Sequence, residues 1–429
     1  MKIYKFNNLN KAELEELVQR NTDSDNSISD RVESVISEVR SNGDAALFNF
    51  TSMFDKVKLE RLYLEQSEFQ ELADSIGDAE KQALDIAYNN ILKFHAGQLK
   101  TEEQVETTPG VLCWRENRAI GRVGFYIPGG TAVLPSTFLM LGVPAVLAGC
   151  KEIVVCTPPS SEGKINAYIA YCATLLNIGR IYLVGGAQAI AAMAYGTESV
   201  PKVDKIFGPG NQYVTKAKSI IQATTNTAID MPAGPSEVLI IADETSRADY
   251  LAADLLAQAE HGSDSQSILV STSSKVIEET LQQIESQLSV LPRAAFARKA
   301  IDNSYAILVD SYEDALTFSN LYAPEHLIIE TDNCDELVSQ VQNAGSVFLG
   351  HLTPESAGDY ASGTNHTLPT SGFARAYSGV SVDAFVKKIT FQKISGDGIR
   401  NLGPTVEILA ELEGLQAHRN AVTIRLNTK

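Results

Sequence analysis

The strongest constraint on this chain is a rhythm. From about residue 120 to 235, short β-rich runs such as "EIVVCTP" and "RIYLVGG" alternate with helical stretches such as "KINAYIAYCATLLNIG" and "QYVTKAKSIIQAT". The rhythm resumes after "DMPAGPSE" with "EVLIIAD", "QSILVST", "YAILVDS", "HLIIET" and "GSVFLG". Alternation of this kind lays strands side by side in parallel, with the helices packed on the sheet between them. The expected fold class is therefore α/β, with two doubly wound, Rossmann-like units in succession. At 429 residues the chain exceeds the usual size of one core, which agrees with more than one domain.

The flanks break the rhythm. Residues from about 10 to 100 carry helical periodicity, as in "DRVESVISEVRSNGDAALFNFTSMFD" and "EKQALDIAYNNILKF", and read as a helical lead-in. The last fifty residues end in "PTVEILAELEGLQAHRNAVTIRL", read as a polar-faced helix and a short strand-like tail. The expected division is a helical segment at 1–22, a main α/β domain from 23–122 with 236–380, a second α/β domain at 123–235, and a C-terminal arm at 381–429.

Charge and thiols exclude several classes. With 35 basic and 53 acidic residues the formal charge is −18, which repels nucleic-acid phosphates and anionic membranes, and no local basic patch offsets it. "MKIYKFNNLNKAELEELV" has no apolar leader core, and no apolar run approaches the roughly 20 residues of a membrane span. The expectation is a cytoplasmic protein without nucleic-acid or membrane partners. Cys113, Cys150, Cys156, Cys172 and Cys334 are odd in number and form no CxxC pair, so neither a disulfide framework nor a thiolate zinc site is indicated.

The histidines point to chemistry. In "SRADYLAADLLAQAEHG", Leu251, Leu255 and Leu256 fall on one helix face, while Asp254, Gln258 and His261 stack on another, and Gly262 suits the position just past the helix end. Gln258 and His261 could cap the last carbonyls, or could face a shared ligand such as a metal held by nitrogen and oxygen donors; the local sequence leaves both open. Five of the six histidines follow residue 260, and three sit near acids: Glu325 with His326 in "YAPEHL", Asp359 with His366 in "SAGDYASGTNHTLP", and Glu413 with His418 in "ELEGLQAH". His95 and His351 lack such sequence neighbours and read as structural.

Three glycine-rich turns point to a second ligand. "FYIPGGTAVLPST", "LVGGAQAI" and "KIFGPGNQYVTKAK" each read as strand, tight turn and helix, the arrangement that offers backbone N–H groups to a nucleotide at the carboxyl ends of strands. None contains the G-x-G-x-x-G fingerprint, so the turns suggest a cofactor crevice without naming its occupant.

Taken in order, "FYIPGGTAVLPSTFLMLGVPA", "VGGAQAIAAMAYGTESVPKVDKIFGPGNQYVTKAK", "DMPAGPSEVLIIAD", "LLAQAEHGSDSQ", "YAPEHL", "SAGDYASGTNHTLPT" and "LEGLQAHRNAV" resemble the motifs of the histidinol dehydrogenase family, from about residue 25 to the C-terminus. The resemblance implies oxidation of L-histidinol to L-histidine through the aldehyde, the last step of histidine biosynthesis, with two NAD+ and one water. It implies one zinc ion per subunit on Gln258, His261, Asp359 and His418, which also lie in the substrate site. It makes His326 the base for the alcohol proton and Glu325 the activator of water, with Ser236, Glu413 and His366 also touching substrate. Tyr126, Gln188 and Asn211 would line the NAD site. It further implies a domain-swapped homodimer in which each arm completes the partner's site. Two other readings share these residues: a zinc and NAD dehydrogenase of another small amino or hydroxy alcohol, and a metallohydrolase, which leaves the three glycine turns without a purpose.

Overall fold

The computed structural model describes residues 1–20, 26–129, 133–232 and 234–428. The boundary expected at 22/23, Gly130 to Ala132 of the first glycine turn and Ala233 lie outside the described residues.

Two six-stranded sheets form the body. The first runs in the order Tyr63–Glu65, Arg180–Leu183, Glu152–Thr157, Arg122–Tyr126, Lys205–Phe207 and Ala228–Ile229, parallel except for its first strand. The second runs Lys2–Lys5, Tyr305–Leu308, Gln266–Ser271, Glu237–Ala242, His326–Glu330 and Ser346–Leu349, parallel throughout. Every residue of Glu237–Ala242 is buried. A parallel strand covered on both faces needs a continuous apolar run, and this is why "EVLIIA" does not alternate.

Each sheet carries a core on both faces. On the first, Val155 and Ile181 belong to one cluster and Val154 and Ile206 to the other. On the second, Ile240 and Leu269 face one way and Leu239 and Val270 the other. This is the doubly wound layering that the sequence rhythm predicts.

Four details differ from the sequence reading. The segment read as helical at 1–22 opens with the edge strand Lys2–Lys5, paired to Tyr305–Leu308; four residues are too few to show a period. The helices Asn26–Phe50, Gln66–Asp74 and Asp78–Ala96, grouped by sequence with 236–380, pack on helices of the first sheet instead. Val32, Leu47, Phe69 and Ile91 complete its cores. The tail read as strand-like is the helix Gln416–Leu426, because it packs along the helix Gly396–Leu412. Tertiary packing here overrides the β-branched Val422, Thr423 and Ile424. Finally, the helix Ala248–Ala259 is capped at Glu260, and Gly262 is not among the left-handed glycines. His261 N bonds back to Gln258 O at 3.2 Å in a tightened last turn, so no glycine cap is required.

A third, antiparallel sheet joins Val386–Ile394, Val111–Ala119 and Val105–Thr108, with the helix Gly396–Leu412 beside it and the helix Gln416–Leu426 packed on that helix. Those helices leave Ile408 at 60%, Leu412 at 78% and Ile424 at 66% exposure. No helix among the described residues is long and apolar enough to cross a membrane.

Candidate active site

The first sheet contributes the carboxyl ends of its strands. Tyr126 closes Arg122–Tyr126, and its Oη accepts from Gly186 N at 3.2 Å. Burial pushes the Tyr126 phenol up and that N–H works against the shift. Gln188 is buried in the first turn of the helix Gly186–Tyr195. Asn211 caps the helix Gln212–Thr224, its side-chain oxygen accepting from Tyr213 N at 3.0 Å and Val214 N at 3.2 Å. Tyr126, Gln188 and Asn211 line one cavity of about 1130 Å³ together with Phe54, Asp55 and His261. Two helix N-termini open on it, and the positive end of a helix suits a phosphate.

The second sheet contributes the opposite ends of its strands. Ser236 and Glu325 immediately precede Glu237–Ala242 and His326–Glu330, so Glu325 and His326 enter the site where their strand begins. The hub is Glu237. Its N–H donates to Glu325 Oε2 at 2.9 Å, and its carbonyl faces His326 Nδ1 at 3.2 Å. A carbonyl only accepts, so Nδ1 carries the proton and Nε2 is the basic nitrogen. That Nε2 is buried without a hydrogen-bond partner and lies 3.4 Å from Asp359 Oδ1. The Glu237 carboxylate is held by Arg20 at 3.1 and 2.7 Å and by Ser371 N at 2.6 Å. Arg20 in turn lies 3.4 Å over the ring of Tyr322.

Gln258 and His261 come from the C-terminal end of Ala248–Ala259, and Glu355 and Asp359 from one face of the short helix Glu355–Tyr360. Gln258 is fully buried; the amide orientation that satisfies both neighbours donates to Glu355 Oε1 at 2.6 Å and accepts from Glu237 N at 3.2 Å. Ligand atoms of His261, Glu355 and Asp359 all lie within 4.8 Å of one another. His366 links the two units: its Nδ1 donates to Asp359 O at 2.8 Å, and its Nε2 meets Thr137 Oγ1 at 2.9 Å.

The electrostatics follow from this crowding. Burial opposes charge on His326, but Glu355 at 3.6 Å, Glu325 at 3.7 Å and Asp359 outweigh it and raise the imidazole to about 10. Burial pushes both Glu325 and Glu355 up to about 8. Burial would raise Asp359 too, yet the imidazoles of His326, His366 and His261 hold it below the usual carboxylate range. Desolvation lowers His261, though its side chain opens on the cavity, and His366. A neutral imidazole, an ionised carboxylate and an amide, with an unpartnered Glu355 Oε2 beside them, make a donor set of nitrogen and oxygen that suits a divalent cation such as zinc.

The chain thus brings together Ser236, Gln258, His261, Glu325, His326, Asp359 and His366 on one side, and Tyr126, Gln188 and Asn211 on the other. His418 and Glu413 stand apart: both are exposed, on or beside the helix Gln416–Leu426, whose packing partner is the helix Gly396–Leu412. His351 has acidic neighbours that the sequence did not show, Glu330 at 3.5 Å and Asp332 at 3.0 Å. Sequence reasoning missed Glu355 and Glu237. Glu355 had a signal, its spacing of four from Asp359 on one helix turn; Glu237 had none, because it acts through its backbone.

Comparison with known proteins covers the whole molecule. The family model described as histidinol dehydrogenase matches residues 18–426. The histidinol dehydrogenase of Bacteroides thetaiotaomicron is 53% identical over 428 residues, spanning 100% of this chain and 99% of its own. The chloroplastic histidinol dehydrogenase of Arabidopsis thaliana is 52% identical, over 99% of this chain and 91% of its own. The crystal structure of histidinol dehydrogenase from Elizabethkingia anophelis superposes with a TM-score of 0.96 at 52% identity, covering 99% of this chain and 98% of that one.

Proposed function

The chain belongs to the histidinol dehydrogenase family, and from that premise we propose that it oxidises L-histidinol to L-histidine through L-histidinal, passing hydride to two NAD+ in turn and consuming one water. It is an NAD-dependent oxidoreductase of histidine biosynthesis. The observation that carries the substrate reading is the meeting of the two half-sites: His261 lines the same cavity as Tyr126, Gln188 and Asn211.

His326 takes the alcohol proton at Nε2, its other nitrogen being tied to Glu237 O. With three carboxylates around it, His326 holds a proton too tightly to act as a base until positive charge enters the cluster. A divalent ion held by Gln258, His261 and Asp359 would supply that charge. Glu325, fixed by Glu237 N, activates water for attack on the aldehyde. Gln258, His261 and Asp359 would hold one zinc ion per subunit with the partner subunit's His418, and the metal would serve to position the substrate. Ser236, His366 and Glu413 complete the substrate contacts, and Tyr126, Gln188 and Asn211 hold NAD.

The assembly we propose is a homodimer in which the arm of each chain completes the other's site. The exposed positions of His418 and Glu413, beside the uncovered Ile408, Leu412 and Ile424, support it. The five free thiols favour a reducing compartment, the cytoplasm.

Absorbance of NADH tests the reading. Histidinol with NAD should produce NADH, and a chelator should stop it while helicity persists, because the ligands hang on an already large α/β core. Absence of NADH with histidinol would return the site to the metallohydrolase alternative. Mixing His418→Asn with Asp359→Asn chains tests the shared site: activity should reappear in heterodimers, and purified heterodimers as inactive as either parent would place each site within one chain.

A further inference from the structure

The cofactor-side turn rests on a buried ion pair that the chemistry described above does not use. Lys218 Nζ and Asp230 Oδ1 are 2.5 Å apart, with side chains 6% and 2% exposed. Both clasp one residue, Gly208: its N–H donates to Asp230 Oδ2 at 2.9 Å, and Lys218 Nζ donates to its carbonyl at 2.9 Å. Asp230 is itself fixed, since Oδ1 accepts from Met231 N at 2.8 Å and its own N–H reaches Ile206 O at 3.0 Å.

Gly208 is where the turn has no slack. It sits at φ +122°, and a Cβ there would come within 2.1 Å of Tyr126 O. From it the chain runs through Pro209 and Gly210 to Asn211, all three lining the cavity. Tyr126 also takes Gly186 N on its hydroxyl, so the turns at 186 and 208 meet at one residue, the first on its side chain and the second on its backbone. A buried ion pair is a poor way to gain stability, because desolvation consumes most of the attraction, but it fixes geometry where both partners are also hydrogen-bonded.

We propose that Lys218 and Asp230 are positioning residues for NAD, holding the 208–211 turn and, through Tyr126, the 186–188 turn in the shape that receives the dinucleotide. The inference rests on the reading that NAD occupies this cavity. Neither side chain lines the cavity, and both act through the Gly208 peptide groups.

The test measures NADH affinity by fluorescence and steady-state constants in full-length, metal-loaded enzyme. Asp230→Asn and the double variant Lys218→Met/Asp230→Asn are compared with Gln188→Ala; the double variant removes both charges of the pair. Displacement of the turn by a fraction of an ångström should weaken NADH binding and raise KM for NAD roughly tenfold or more, with KM for histidinol and kcat at saturating NAD within about twofold of the parent. A merely structural pair would instead lower the folded fraction, and hence kcat, leaving KM for NAD unmoved. Unchanged NADH affinity in both pair variants, with Gln188→Ala weakened, overturns the proposal. Unchanged affinity in Gln188→Ala as well overturns the placement of NAD in this cavity. Failure of both pair variants to fold shows that the pair holds the whole unit rather than the turn, and also overturns the proposal.

Discussion

The two six-stranded sheets share one architecture and are used from opposite ends. The first offers the carboxyl ends of its strands, with helix N-termini and backbone N–H groups at Gly186 and Asn211. The second offers the amino ends, where Glu237 and His326 begin their strands and the helix Ala248–Ala259 finishes at Gln258 and His261. The difference is electrostatic. A helix N-terminus carries partial positive charge and favours phosphate; a helix C-terminus carries partial negative charge and favours a cation. Under the proposed function, one fold met from its two ends would receive an anionic cofactor on one side and a metal cation with the substrate on the other. Side chains of the second sheet would do the chemistry, and the turns of the first, with their side chains, would hold the cofactor.

Breaking the second sheet's end should cost most. His326→Asn removes a buried basic nitrogen that has no other hydrogen-bond partner, and kcat for both oxidations should fall on the order of 10²–10⁴-fold. Glu325→Gln should spare the alcohol step and slow oxidation of supplied aldehyde, since only the second step consumes water. Aldehyde oxidised by Glu325→Gln at the parent's rate would remove that role from Glu325.

Breaking the first sheet's end should cost less and show elsewhere. Gly208→Ala forces a methyl against Tyr126 O in a backbone conformation that disfavours a side chain, so KM for NAD should rise roughly tenfold while KM for histidinol holds. A rise in both constants together would show that the two ends are not separable.

The smallest effect concerns the charge buried behind the second site. Burial, helped by Glu330, raises Asp254 to about 7. A carboxyl raised in the folded state contributes stability that is present below its unfolded pKa and lost as pH rises through about 7. Asp254→Asn should therefore raise the melting temperature of chelator-treated protein by a few degrees at pH 8, on the order of 1–3 kcal/mol, and change little near pH 4.

How much of this was legible varied with range. The strand and helix rhythm was, because "EVLIIA" and "QYVTKAKSIIQAT" carry their own periodicity and the helix over 212–224 sits where it predicts. The glycine turns were legible as turns because Gly186 and Gly208 need positive φ. The packing of residues 26–96 on the first sheet was not, since amphipathic helices announce a buried face without naming what covers it. Within the site, histidines and their adjacent acids stood out by rarity and proximity. Arg20 and Glu237 did not, because they meet across 217 residues and Glu237 serves through its peptide group.

The most direct test of the division between the sheets is NADH binding, separated from turnover, in His326→Asn and Gln188→Ala. If the first sheet holds cofactor and the second does chemistry, His326→Asn should bind NADH within about twofold of the parent while turning over no histidinol, and Gln188→Ala should lose roughly tenfold in NADH affinity. NADH affinity lost equally in both variants, or retained in Gln188→Ala, would contradict it.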